Sequence, residues 1–467
     1  MADVTATGLA AQGDVAERAS LRSGLVSWVL ASAAMLLALC APALWNGFPL
    51  IFPDTGGYLE RPLEGTLDLG RSALYGLFLA AGVPSAFWMN VVAQAALTVW
   101  IIVLALRAHG FGGRPWFAFG VVALLALLTS LPWLAGELLP DILFPAAVLA
   151  LELLIFRCDR LAGWERIALG GVIAFAIVSH MAAAGLCAGL VAALWLAGCI
   201  RRVDLPQPRF SFAAAAVAAG IALCPASNWA ITGTFAFTPG GSSFVFGRLV
   251  EDGIVQRYLA DRCPDPAIRL CAYQDDVPDD ADDWLWDPNS PYRKLGGWEA
   301  LSEEERAITL ATLRDYPLLQ VTSAVADIFD QLTSFQTEVS LEDNAPTVEA
   351  IEHRAPQLQP ALMEARQQKG EIDVDGLNVI HVPVATLAML ALVGALALRR
   401  RLKLAPRLTA LGATVLLALF INAAICAVLS HSVDRYQSRL TPLAVFAVTL
   451  IAADRWRTWL GPPADLS

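Results

Sequence analysis

The sequence is poor in charge: Asp, Glu, Lys and Arg make up 16% of its 467 residues, against about 25% in a soluble globular chain. Histidine is scarce, five residues in all, and no Cys/His spacing suits zinc. No phosphate-cradling glycine loop and no dinucleotide fingerprint occur. No basic stripe with interleaved aromatics occurs either, which excludes nucleic-acid binding. With 57% hydrophobic residues and a mean hydropathy of +0.56, the composition excludes a soluble enzyme, a disordered chain and a disulfide-dense miniprotein.

What remains is a set of apolar runs near the roughly 20 residues that cross a bilayer. They are Gly24–Trp45, Ser85–Leu106, Trp116–Leu131, Asp141–Phe156, Ile167–Ser179, Met181–Ile200, Phe212–Ile231, Val382–Leu398, Leu408–Ser430 and Leu440–Ala453. The fold class expected is an all-α polytopic membrane protein of about ten transmembrane helices. The first run reads as a retained helix, being longer than the core of a cleaved signal. The fifth and sixth runs form one 34-residue stretch, which must either turn near Ser179 and His180 or include a strongly tilted helix; the turn is expected, because it leaves Arg166 and Arg201 both cytoplasmic.

Charge orders the spans. Arg107/Arg114, Arg157/Arg160/Arg166, Arg201/Arg202/Arg209, Arg399/Arg400/Arg401/Lys403/Arg407 and Arg455/Arg457 fall in alternate gaps. The positive-inside rule makes those gaps and both termini cytoplasmic. The membrane expected is a bacterial-type inner (plasma) membrane. Residues 232–381 hold 11 basic and 27 acidic residues, a net of −16, leaving 21 basic and 16 acidic residues, a net of +5, elsewhere. The chain therefore divides into an N-terminal membrane region (1–231, about seven spans), an acidic extracytoplasmic segment (232–381) and a C-terminal membrane region (382–467, about three spans).

Six of the eight cysteines lie in or beside apolar spans and read as small core hydrophobes. Cys263 and Cys271 lie in the acidic segment, where an oxidising compartment would allow a short-loop disulfide. Ser302-Glu303-Glu304-Glu305 reads as a capping box opening a helix that runs to about Asp315. From Pro317 to Phe335 the apolar residues Leu318, Val321, Val325, Ile328, Phe329 and Leu332 mark an amphipathic helix, on the membrane surface or packed over the bundle. The Asp-rich run Asp275–Asp287, with Trp284 and Trp286, reads as a solvated loop.

The chemistry-bearing residues sit in the connections assigned to the extracytoplasmic side. Asp54, in Phe52-Pro53-Asp54-Thr55-Gly56-Gly57-Tyr58, can act as a general base or cap a helix. Glu137 and Asp141 follow in the second connection, where Asp141 can equally favour a helix dipole. His180 is polar in the middle of an apolar stretch, a functional signal in a membrane or a capping group. Arg435 and Arg439, spaced i, i+4, share a helix face and can clamp a phosphate. Alternatively they pair with Asp54 or Asp434.

Asp54-Thr-Gly-Gly-Tyr58, with Arg71-Ser-Ala-Leu-Tyr75 after it, resembles the first-loop pattern of the GT-C superfamily of integral-membrane glycosyltransferases. Asp434-Arg435-Tyr436, followed by Arg439-Leu-Thr-Pro442 and an apolar helix, resembles the Arg-Tyr…Pro run entering a late span of that superfamily. The resemblance covers the bundle and not residues 232–381. It implies a GT-C-like bundle and an inverting transfer of a sugar from a polyprenyl-phosphate donor to a lipid, glycan or protein acceptor. It further implies Asp54 as base or acceptor-orienting carboxylate and Asp141 or Glu137 as the second-loop acid. Arg435, with Arg71 and Arg439, would hold the lipid phosphate, and Tyr58 and Tyr436 would line the substrate; His180 joins them as a substrate-binding candidate on its own position in an apolar stretch. The family's paired acid motif is here a lone Asp54 before Thr55, so no cofactor is expected and no divalent metal is indicated. The competing readings are a transporter or flippase, which would show broken helices or inverted repeats, and a non-catalytic envelope-assembly subunit.

Overall fold

Each of the ten apolar runs forms a helix in the computed structural model, which describes residues 4–199, 205–340 and 344–459, with side chains from Gly24 onward. Arg201 and Arg202 lie outside the described residues. In chain order come α1 (Val4–Asn46), α2 (Pro53–Glu64), α3 (Ala73–Gly82), α4 (Trp88–Leu106), α5 (Pro115–Leu128), α6 (Leu131–Gly136), α7 (Leu143–Phe156), α8 (Gly163–Ser179), α9 (Ala182–Cys199) and α10 (Ser211–Thr232). The acidic segment follows with α11 (Gly241–Glu251), α12 (Ile254–Arg262), α13 (Ala281–Trp286), α14 (Pro291–Lys294), α15 (Gly297–Asp315), α16 (Pro317–Thr333), α17 (Ala345–Arg354) and α18 (Gln359–Met363). The chain closes with α19 (Val374–Ala397), α20 (Pro406–Leu429), α21 (Asp434–Ser438) and α22 (Thr441–Trp459). Among the described residues the one extended pairing is a parallel bridge between Leu50 and Glu137.

Among the described residues, six helical stretches are long and apolar enough to cross a membrane: Gly24–Asn46, Trp88–Phe111, Ala182–Cys199, Ser211–Thr232, Val374–Ala397 and Pro406–Leu429. Helices α5 and α7 have 14 residues each and α8 has 17, short of a full crossing at 1.5 Å per residue. Helix α22 is longer, but its last turns carry Asp454, Arg455 and Arg457. Helix α7 is buried along its whole length, packed against α4, α8, α9, α10 and α20, which is why it is apolar on every face. Chain direction reverses at His180, whose extended backbone (φ −149°, ψ 117°) ends α8. Helix α9 then packs closely on α20. A Cβ at Gly185 would sit 2.9 Å from Ile425 Cδ1, and one at Gly189 would sit 3.0 Å from Ile421 Cγ2. Small residues one turn apart thus let two apolar helices approach.

The acidic segment departs from expectation in three places. The Ser302–Glu305 capping box does not form. Helix α15 begins earlier, after Gly296 (φ 96°, in the left-handed region that glycine tolerates), and Glu305 is fully buried in its interior. Asp275–Asp287 is not one loop: Asp280 accepts hydrogen bonds from the backbone of Asp282 and Asp283 and so caps α13, whose Trp284 is fully buried. Helix α19 starts at Val374 rather than Val382, because Asp373 accepts from Gly376 N at 2.8 Å and caps it. Residues of α11 to α15 share a core of their own around Phe246, Leu259, Trp284 and Leu301, into which Leu69 of the first connection inserts. A disulfide joins Cys263 and Cys271, with Cα atoms 5.5 Å apart.

Glu305 sits in that core and accepts from Ser243 Oγ at 2.6 Å. Burial pushes its carboxyl up to about 7, above the unfolded value of about 4.3. The folded state therefore prefers the protonated acid. This contribution to stability is present in full below the unfolded value and is lost as pH rises through about 7. Amide-exchange protection of residues 243–316 should fall from about pH 5 to 8, and Glu305→Gln should flatten that slope. An unchanged slope in the variant would remove Glu305 as its source.

Candidate functional site

Asp54 lies in the first turn of α2, where the helix dipole favours a carboxylate. Phe52 holds the cap position, so Asp54 does not cap the helix. Its two oxygens are divided between two guanidiniums. Arg71 Nη2 donates to Oδ1 at 2.5 Å, and Arg435 Nη1 and Nη2 approach Oδ2 at 3.3 and 3.2 Å. Burial alone would push the Asp54 carboxyl up, but Arg71 and Arg435 hold it well below the usual carboxylate range.

The two glycines after Asp54 admit its neighbours. The Gly56 amide donates to Thr347 Oγ1 at 2.8 Å, and a Cβ there would stand 2.7 Å from the Pro346 carbonyl oxygen, so α17 lies directly on α2. A Cβ at Gly57 would collide with the Asp68 and Arg71 side chains. Arg71 is held further by the Leu69 carbonyl at 2.6 Å and by Asp68 at 3.3 Å. Its guanidinium stacks 5.1 Å from the ring of Trp286 on α13, so the acidic segment covers this side of the site.

A second pair lies beside the first. Arg439 is fully buried and donates to Asp141 Oδ1 at 2.8 Å and to Asn422 Oδ1 at 3.1 Å. It lies 3.4 Å from the Phe144 ring centroid. Tyr436 stands between the cations, with Arg435 and Arg439 at 5.5 and 5.2 Å from its ring. Tyr58 is buried edge-on to Tyr75 at 5.1 Å. His180 meets the Phe144 ring at 5.2 Å, and its Nδ1 accepts the Ala182 amide at 3.3 Å, so it caps α9. Burial, joined by Arg439 and Arg435, pushes the imidazole down to about 4, leaving it neutral at physiological pH.

All four connections therefore meet: Asp54, Tyr58 and Arg71 from the first, Glu137 and Asp141 from the second, His180 from the third, and Arg435, Tyr436 and Arg439 from the last. Asp434 stays outside, accepting from the Gln336 backbone at 2.7 Å. Burial pushes the Glu137 carboxyl up. Glu137 lines a small cavity with Trp133, Thr337, Glu338 and Arg435. The sequence reading missed Glu338, whose Oε2 is buried without a partner, and nothing in its flanking residues marks it. It also missed Asn422, which was legible as an amide inside an apolar run. Outside the cluster, Glu60, Glu64 and His353 group closely enough to hold a cation. They already pair instead, His353 with Glu60 at 2.9 Å and Arg354 with Glu64 at 2.7 Å.

No protein-family model, curated protein or solved structure matches the chain.

Removing one partner of a buried pair strands the other charge, at about 3–5 kcal/mol. Asp141→Asn should therefore lower the detergent-solubilised melting temperature markedly, because Arg439 has no solvent to turn to. The double variant Asp141→Leu/Arg439→Met should recover most of the loss. Equal melting of wild type and Asp141→Asn would show that the pair carries no such constraint.

Proposed function

We propose that the protein is a membrane glycosyltransferase that moves a sugar from a polyprenyl-phosphate donor to an extracytoplasmic acceptor hydroxyl. The observation that carries this reading is the meeting of Asp54 with Arg71 and Arg435, 17 and 381 positions away along the chain. A base and a phosphate clamp are then adjacent. In the proposed reaction Asp54 takes the proton of the acceptor hydroxyl. The hydroxyl oxygen attacks the anomeric carbon, and the bond to the phosphate oxygen breaks. The phosphate leaves as an anion, stabilised by Arg435 and Arg71. Inversion follows from this single displacement. A donor phosphate competing for the two guanidiniums would also relieve the charge that keeps Asp54 a weak base.

The topology proposed with this function has about ten spans, both termini cytoplasmic and residues 232–381 outside, in a bacterial-type inner membrane. The alternating basic gaps support it, and the Cys263–Cys271 disulfide accords with an oxidising compartment. No metal enters the proposed reaction.

The test is turnover of a panel of polyprenyl-phosphate sugars by the purified chain in nanodiscs, followed as released polyprenyl phosphate. Asp54→Asn should reduce kcat by about 10²–10⁴-fold, the span typical of losing a general base. Arg435→Lys should raise KM and lower kcat, since an ammonium cannot reproduce the guanidinium fork. Turnover by Asp54→Asn equal to wild type would sink the role of Asp54, and no turnover across the panel would sink the transferase reading.

A further inference from the structure

Helix α16 is turned inside out. On an ordinary surface helix the apolar stripe faces the protein and the polar residues face water. Here Leu318, Val321, Val325 and Phe329, spaced along one face, are 75%, 60%, 48% and 66% exposed. Leu310 and Leu313 near the end of α15 are also exposed, at 60% and 49%. Three of its polar residues point inward, while Thr322, Asp330 and Thr333 stay exposed. Gln320 accepts from Arg248 at 3.3 Å and donates to Thr312 at 3.1 Å. Asp327 takes Arg248 Nε and Nη2 at 3.1 and 3.0 Å. Gln331 is fully buried and pairs with the backbone of Val433 in both directions, at 2.8 and 3.0 Å. The inward face is thus pinned by hydrogen bonds, and the apolar ridge cannot roll under without breaking them.

Such a ridge needs an apolar surrounding. Helix α16 packs along α20, one of the six helices able to cross a membrane, so its outward face continues the apolar surface of a span. Its C-terminal end is tied by Gln331 to Val433, just past Leu429, where α20 ends. That places the C-terminal end of the ridge beside the end of the span.

We infer that α16 is an interfacial helix whose ridge, Leu318 to Phe329, lies among the acyl chains of the leaflet beside α20. The acidic segment then rests in the membrane rather than standing free above it. An interfacial helix of this kind buries its apolar face about 5–10 Å into the headgroup and acyl boundary. The segment leading into Arg435 is held by the same helix: the Ser432 hydroxyl donates to the Asp327 carbonyl oxygen, and the Val433 backbone pairs with the Gln331 side chain. This inference does not depend on the transferase reading.

The test places the photocrosslinker p-benzoylphenylalanine at Leu318 or Phe329 of the full chain, with exposed Glu303 on α15 as the control, in nanodiscs of phosphatidylcholine and phosphatidylglycerol. Both side chains are mostly exposed, at 75% and 66%, so the variants should fold as the parent does. The expected result is covalent phospholipid adduct at Leu318 and Phe329, several-fold above that at Glu303. Adduct no greater than at Glu303 would overturn the inference and leave the ridge facing water. A crosslinked dimer in place of lipid adduct would overturn it too and make the ridge a contact between copies of the chain.

Discussion

The rest of the structure depends on how buried charge is paired. Asp54 shares its two oxygens between Arg71 and Arg435, and Arg439 is buried against Asp141 and Asn422. Arg439 and Asp141, almost fully buried, could not stay ionised in so dry a place alone. The Asp54–Arg435 pair joins the first connection to the last, and the Asp141–Arg439 pair joins the second to the last. The bundle must therefore close on itself before the charges are satisfied. Gly56 and Gly57 permit that closure by letting α17 and Arg71 lie against the α2 backbone.

The same constraint shapes the acidic segment. Its carboxylates are not merely a solvated face. Asp280 and Asp373 cap helices, Asp327 holds the buried Arg248, and Glu305 sits inside a small core. Trp286 reaches from this segment to Arg71, and Thr347 hydrogen-bonds to the carbonyl oxygens of Phe52 and Pro53. The segment is therefore a wall of the site as well as an acidic appendage. Its apolar excess is turned outward on α16 because the polar face of that helix is needed inward.

The helices were legible in the sequence because apolar runs leave the backbone no partner but itself. The turn at His180 was legible from the length of its apolar stretch together with the arginines, Arg166 and Arg201, that flank it. The candidate site was legible as residue types on one side of an alternating charge pattern, from Asp54 through Asp141 and His180 to Arg435. The start of α15 was not, because Ser302–Glu305 mimics a capping box while Gly296 begins the helix. Glu338 was not, because its place beside Arg435 follows from the path of residues 334–340 around the bundle. Trp284 and Trp286 carried no sign that one belongs to a core and the other to the site.

By itself the sequence determined that this is a helical membrane protein with one acidic segment and a few ionisable residues between its apolar runs. Those properties are local or additive: hydropathy, period and charge can be summed along a chain. Which carboxylate meets which guanidinium was decided only by tertiary structure. A charge pair across 381 positions depends on where packed helices end in space, and no local preference encodes that. The outward turn of the α16 ridge was decided in the same way, since its amphipathic period reads identically with either face buried.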